Sequence, residues 1–184
     1  MIINPTKLKN AAKAANADPQ ALAASLPKPS SRRKQDEIAL KKVTNWMNGR
    51  NHPRVKPAEV AALAGALGVE PRSLVRFTHT SRFVRSAPRK ARLVADLVRG
   101  KRVDEAQALL EFSPKRAAVM VRKALSAAIA QAEQNDAAID QLFITESKVD
   151  DSVRIKRFQP KDRGRAHPII KRTCHITIGV EERA

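Results

Sequence analysis

The chain has a single cysteine, Cys174, no tyrosine, one tryptophan, and aromatic residues at only 3% of its 184 positions. One cysteine can close no internal disulfide and build no CxxC metal site, which points to a cytosolic setting. Scarce aromatics argue against reading single strands by base stacking, which needs aromatic platforms. No apolar run reaches the roughly 18 residues needed to span a bilayer. The first ten residues, Met1 to Asn10, have no apolar signal-peptide core, so export and membrane insertion are not expected. Acidic residues are also few: 18 against 36 Lys plus Arg, a formal charge of +18. Such an excess repels itself unless a polyanion neutralises it, and nucleic acid is the first candidate, an anionic membrane surface the second. The hydrophobic content of 42%, much of it alanine, is too high for a disordered basic tail. The length suits one domain or two small ones.

The basic excess is shared evenly. Residues 1–76 hold 14 basic and 5 acidic residues, and residues 77–184 hold 22 and 13, so each part carries +9. The first part reads as short Ala-rich helices over Thr6–Asn16 and Pro19–Leu26. A break follows at Pro27-Lys28-Pro29-Ser30-Ser31, and then a helix over Arg32–Met47 that Asn48-Gly49 stops. Pro57 opens the next helix, where Val60, Leu63, Ala64 and Leu67 recur at i, i+3, i+4, i+7 before Gly68. Trp46, Leu63 and Leu67 are its predicted core, and residues 1–76 are expected to form one helical domain, residues 77–184 another.

The texture changes at Val75, where a period of two through Val84 predicts a strand. Pro88 opens a helix to Arg99, with Leu93, Val94, Leu97 and Val98 assigned to its apolar face and Arg89, Arg92 and Arg99 to another. A short helix is expected at about Asp104–Glu111. Ser113-Pro114 then starts a long one to about Gln134, with Ala117, Val121, Ala124, Leu125, Ala128 and Ala132 as its buried stripe. Leu142–Val149 and Ile170–Val180 read as strands, the even positions of the second, from Ile170 to Val180, facing the core apart from Arg172.

The segment between those strands, Asp150–Ile169, is the most informative. It carries Arg154, Lys156, Arg157, Lys161, Arg163 and Arg165, with Asp162 the only acid after Asp151, and Lys171 and Arg172 extend the cluster. Pro160 and Pro168 bracket a turn at Arg163-Gly164-Arg165. Strands on both sides imply a long hairpin at about 150–169, and a two-stranded ribbon alone in water is marginal. Clustered guanidinium groups bind phosphate oxygens bidentately. A solvated basic loop is the competing reading of the same composition.

Four ordered motifs carry a resemblance. Ser86-Ala87-Pro88-Arg89-Lys90-Ala91-Arg92-Leu93-Val94-Ala95-Asp96-Leu97-Val98-Arg99-Gly100 resembles the first-helix signature of the L22 family of bacterial large-subunit ribosomal proteins. Ala124–Asn135 resembles the end of that family's long helix, Lys156-Arg157 with Pro160 and Gly164-Arg165-Ala166 its hairpin, and Lys171–Thr177 its closing strand. The resemblance spans about Phe77 to Glu182. It implies an α+β fold: a small three-stranded antiparallel sheet packed on helices, with a long protruding β-hairpin. It implies a structural constituent of the large subunit that binds large-subunit rRNA, supports assembly and lines the peptide exit tunnel with its hairpin. Its implied partners are that rRNA, neighbouring ribosomal proteins and the passing nascent peptide, in the cytoplasmic ribosome, with no membrane, cofactor or small-molecule substrate. The RNA-binding residues so implied are Arg82, Arg85, Arg89, Arg92, Arg99, Lys101, Arg154, Lys156, Arg157, Lys161, Arg163, Arg165, Lys171 and Arg172. Pro160-Lys161-Asp162 departs from the family's usual Pro-Arg-Ala, and Asp162 lowers the positive charge of the tip.

Residues 1–76 precede that pattern. Trp46-Met47-Asn48-Gly49-Arg50, then Pro53, Leu63-Ala64, Ala66-Leu67-Gly68-Val69 and Leu74 resemble the later helices of a Cro/repressor-type helix-turn-helix domain. That resemblance makes Arg32, Arg33, Lys34, Lys41, Lys42 and Arg50 possible nucleic-acid contacts and gives an alternative function, a DNA-binding regulator. A generic helical bundle fits the same residues, and operator binding does not follow from fold alone.

No catalytic constellation emerges, and an enzyme is not expected. Cys174 falls on the apolar face of a strand as a core thiol. His52, His79, His167 and His175 have no metal-ligand spacing. Asp150-Asp151 and Glu181-Glu182 read as solvated ends, and phosphate-binding glycine loops are absent.

Overall fold

Prolines and polar caps start the helices of the first part. The computed structural model describes residues 1–27 and 35–183. Helices α1 (Pro5–Ala14), α2 (Pro19–Ser25) and α4 (Pro57–Leu67) each carry proline in the first turn, where its missing N–H costs nothing. The Asn4 side-chain oxygen accepts from the backbone N–H groups of Thr6 and Lys7 at 3.1 and 3.4 Å, capping α1. Helix α3 (Gln35–Met47) ends before Gly49, and α4 before Gly68, both with positive φ. Trp46 is buried and its indole N–H donates to the Pro53 carbonyl at 2.9 Å, tying α3 to the loop that follows. Leu8, Leu22, Val43, Leu63 and Leu67 complete this core, which is continuous with that of the rest of the chain.

The second part is built on a sheet of β1 (Ile2–Ile3), β2 (Val75–Val84), β3 (Leu142–Asp151) and β6 (Cys174–Glu182), in the antiparallel order β1-β2-β6-β3. Three strands were expected; β1 is a fourth, pairing Ile2 with Arg76 and Ile3 with Val75. Two residues are too short for a period of two to show in the sequence. The expected boundary at 76/77 falls inside β2. Helices α5 (Pro88–Val98), α6 (Val103–Phe112) and α7 (Arg116–Glu133) cover one face. The α7 stripe from Ala117 to Ala132 is buried as predicted, and its small side chains bring the helix close onto β2 and β6. The helix starts at Arg116 rather than at Pro114.

Two apolar assignments are corrected. On α5 Pro88, Ala91, Val94, Ala95 and Val98 are buried, while Leu93 and Leu97 are 58% and 53% exposed. The spacing i, i+3, i+4, i+7 is satisfied once the alanines count as core, and they let the helix lie close to the sheet. The expected strand Ile170–Val180 is two strands, β5 (Ala166–Lys171) and β6, interrupted at Arg172-Thr173. Cys174, Ile176, Ile178 and Val180 reach the core, but Ile170 belongs to the hairpin and is 48% exposed.

Glu181 and Glu182 are also corrected. Both are buried, and as neighbours on one strand they point to opposite faces of the sheet, Glu181 to the face away from the helices. The Arg76 guanidinium lies across Gly179, where an added Cβ would stand 2.9 Å from Arg76 Cδ, and it donates to Glu181 and, at 3.2 Å, to Glu146. Glu181 also accepts from the Asn4 amide at 2.9 Å and from the Thr145 hydroxyl at 3.1 Å. Lys7 donates to the Glu182 carbonyl at 2.8 Å. The N-terminal strand and α1 thereby cover what a sequence end would otherwise leave in water.

Candidate nucleic-acid interface

The hairpin arises where the central sheet runs out of partners. Strand pairing between β3 and β6 ends at Asp151 and Cys174. The Ser152 N–H then donates to the Thr173 carbonyl at 3.1 Å, and the Thr173 hydroxyl donates to the Val153 carbonyl at 2.6 Å, closing the base of the arm. Beyond it β4 (Ile155–Pro160) pairs with β5 as a separate two-stranded sheet, from Ile155 opposite Lys171 to Pro160 opposite Ala166. The tip turns through Arg163 and Gly164, both at positive φ, with the Lys161 N–H donating to the Arg165 carbonyl at 2.7 Å. No residue of β4 or β5 is buried.

Most cations of this arm form no ion pair among the described residues, although Asp162 sits between Lys161 and Arg163 at the tip. Lys156, Arg157, Lys161, Arg163, Arg165, Lys171 and Arg172 are all exposed and make no ion pair among the described residues. Arg154 stands 3.9 Å from Asp151 at the base. Asp150 and Asp151 are exposed, as expected.

The α5 cations divide into two kinds. Arg92 donates to the Val149 carbonyl at 3.1 Å and pairs with Asp151 at 2.8 Å. Arg99 donates to the Ser147 carbonyl and pairs with Asp96 at 2.8 Å. Both therefore satisfy carbonyls of β3, an edge strand, with guanidinium faces still half exposed. Arg82, Arg85 and Arg89 are exposed without such partners among the described residues, and Lys101 is half-buried. Sequence reasoning passed over Lys90, Lys115 and Arg116, which line a cleft of about 500 Å³ with Arg85, Ser86 and Leu93. Lys90 sits inside the recognised first-helix motif, and Lys115-Arg116 opens a long helix; only packing of α5 beside α7 brings them together.

In the N-terminal part Arg32, Arg33 and Lys34 lie outside the described residues. Lys41 and Arg50 are exposed. Lys42 donates at 2.7 Å to the buried Glu59 carboxylate, whose other oxygen accepts from the Lys56 N–H at 2.9 Å, so its charge is committed to capping α4. The first turn of α3 exposes Asp36 and Glu37, which repel phosphate. The DNA-regulator reading gains no support from this arrangement.

Cys174 is fully buried. Burial pushes its thiol pKa up, Asp151 adds to that and Arg92 opposes it, so it stays a protonated core side chain. His175, on the opposite face, accepts from the Phe83 N–H through Nδ1 at 3.1 Å.

Residues 79–181 match the family model described as "Ribosomal protein L22p/L17e". The chain is 48% identical over 105 residues to the large ribosomal subunit protein uL22 of Clostridium novyi (strain NT), covering 56% of this chain and 95% of that one. It is 50% identical over 103 residues to the protein of the same name from Lactobacillus delbrueckii subsp. bulgaricus, covering 55% and 88%. These matched lengths correspond to the α+β part with its hairpin.

Proposed function

The chain belongs to the ribosomal protein L22p/L17e family, and from that premise we propose that it is a structural constituent of the large subunit of the cytoplasmic ribosome, binding large-subunit rRNA and supporting subunit assembly. The hairpin lines the peptide exit tunnel, where the nascent peptide passes it, and neighbouring ribosomal proteins share the surface. The role is one of scaffolding rather than catalysis.

The observation that carries this reading is the arm itself. A two-stranded ribbon with no buried residue has no core to hold its shape. Seven cations on it, without an ion-pair partner among the described residues, repel one another in water, and folded RNA supplies both the rigid wall and the compensating charge. Guanidinium forks suit phosphate oxygens, and shape with backbone contacts is how folded RNA is recognised. Residues 1–76 are read as a helical extension that docks on RNA or a neighbouring protein at the same particle.

The test is binding to a large-subunit rRNA transcript across a salt series, together with co-sedimentation with large subunits through high-salt sucrose. With about eight phosphate contacts, at a slope near −0.9 for each on a duplex-like site, log K falls with log salt at about −7. A slope shallower than about −2 overturns the phosphate-dominated interface.

A further inference from the structure

Among the described residues, Phe83 is the one large apolar side chain that the fold holds outward against its own backbone preference. It lies at an irregularity in the β2–β6 pairing between Ser81 and Val84, with φ of 55°. A bulky side chain in the left-handed region is strained. Burial does not explain the strain, because the residue is 59% exposed. Instead the position is braced: its N–H donates to His175 Nδ1, and its ring meets the His175 ring edge-on, centroids 4.9 Å apart at 76°. Bracing from β6 leaves the rest of the ring open to solvent.

The surroundings are cationic. Arg82 and Arg85 flank Phe83, both exposed and without an ion-pair partner among the described residues. Arg85 also lines the cleft that holds Lys90, Lys115 and Arg116, none of them ion-paired among the described residues. An exposed ring one and two positions along the chain from exposed arginines, the second of which lines a basic cleft, offers the chemistry of both ends of a nucleotide, an apolar base and an anionic phosphate. We propose that Phe83 is a stacking platform for one unpaired RNA base, and that Arg85 with the adjoining cleft takes the phosphate next to it. This rests on the rRNA-binding reading and deepens it: it adds recognition of an extruded base to an interface otherwise built on backbone charge. It also reverses the inference from low aromatic content, since one positioned ring suffices where many are not needed.

The test uses the full chain and a large-subunit rRNA transcript, with Phe83→Leu and Phe83→Trp compared to the natural sequence. Leucine keeps the β-carbon and so the backbone strain, removing only the ring. Phe83→Leu lowers transcript affinity about tenfold, within the range for one base stacked on an aromatic. Phe83→Trp restores it, and its exposed indole is quenched on binding. Ultraviolet crosslinking places a nucleotide on Phe83 in the natural chain. Thermal melts of all three agree within a few degrees. Affinity of Phe83→Leu within twofold of the natural chain overturns the platform while leaving the rRNA reading standing. A Phe83→Trp variant as weak as Phe83→Leu, or a loss matched by a collapse in melting temperature, overturns it in favour of a structural role. Failure of the natural chain to bind the transcript removes the rRNA reading and the platform with it.

Discussion

Replacing Arg76 by methionine probes the contact that locks the N-terminal strand to the sheet. The Glu181 side chain is only 5% exposed, and Arg76 is its charged hydrogen-bonding partner, with Lys7 3.8 Å away. Burial disfavours the Arg76 charge, but the hydrogen bond and charge of Glu181, reinforced by Glu146, outweigh it and raise its pKa. The guanidinium therefore does not escape by losing a proton. Removing one partner of a fully buried ion pair costs about 3–5 kcal/mol, because the other charge is stranded. Here Arg76 is 28% exposed, and the Asn4 amide and Thr145 hydroxyl still reach Glu181, so the cost falls to about 2–3 kcal/mol. Glu146 keeps Lys148 at 3.2 Å and adds little. At about 2–4 °C per kcal/mol for a chain of this size, Arg76→Met lowers the melting temperature by about 5–10 °C. The double variant Arg76→Met with Glu181→Gln removes the stranded charge but keeps an acceptor for Asn4, and regains more than half of the loss. Calorimetric melts of the natural chain, both single variants and the double variant close the cycle. A single variant melting within about 2 °C of the natural chain, or a double variant with no recovery, refutes the argument.

Replacing Ile155–Lys171 by a short Gly-Ser link leaves the melting temperature within about 3 °C, since the excised strands bury no residue, and lowers rRNA-transcript affinity at least about tenfold; loss of cooperative melting would show that the arm belongs to the core. The Cys174 thiol, buried and with its pKa raised, resists Ellman's reagent in the native chain at neutral pH and reacts at once in denaturant; fast native labelling would contradict its placement.

Short-range signals were legible without a structure. Prolines at helix starts, glycines at their ends, the alanine stripe of α7 and the run of cations from Arg154 to Arg172 all act within a few residues of their own position, so local chemistry states them. The buried place of Trp46 followed from the Asn48-Gly49 stop beside it. What escaped were outcomes decided by distant partners. Leu93 and Leu97 turn outward because Ala91 and Ala95 let α5 press close on the sheet, a choice of helix face that apolar content alone misassigns. Lys90 and Lys115-Arg116 share a cleft only because α5 lies beside α7. Phe83 is presented by an irregular strand pairing whose brace, His175, is 92 positions away. Glu181, which reads as a solvated end, is buried by Asn4, 177 positions earlier, because a two-residue strand too short to leave a periodic trace pairs with β2 and carries the helix cap onto the carboxylate.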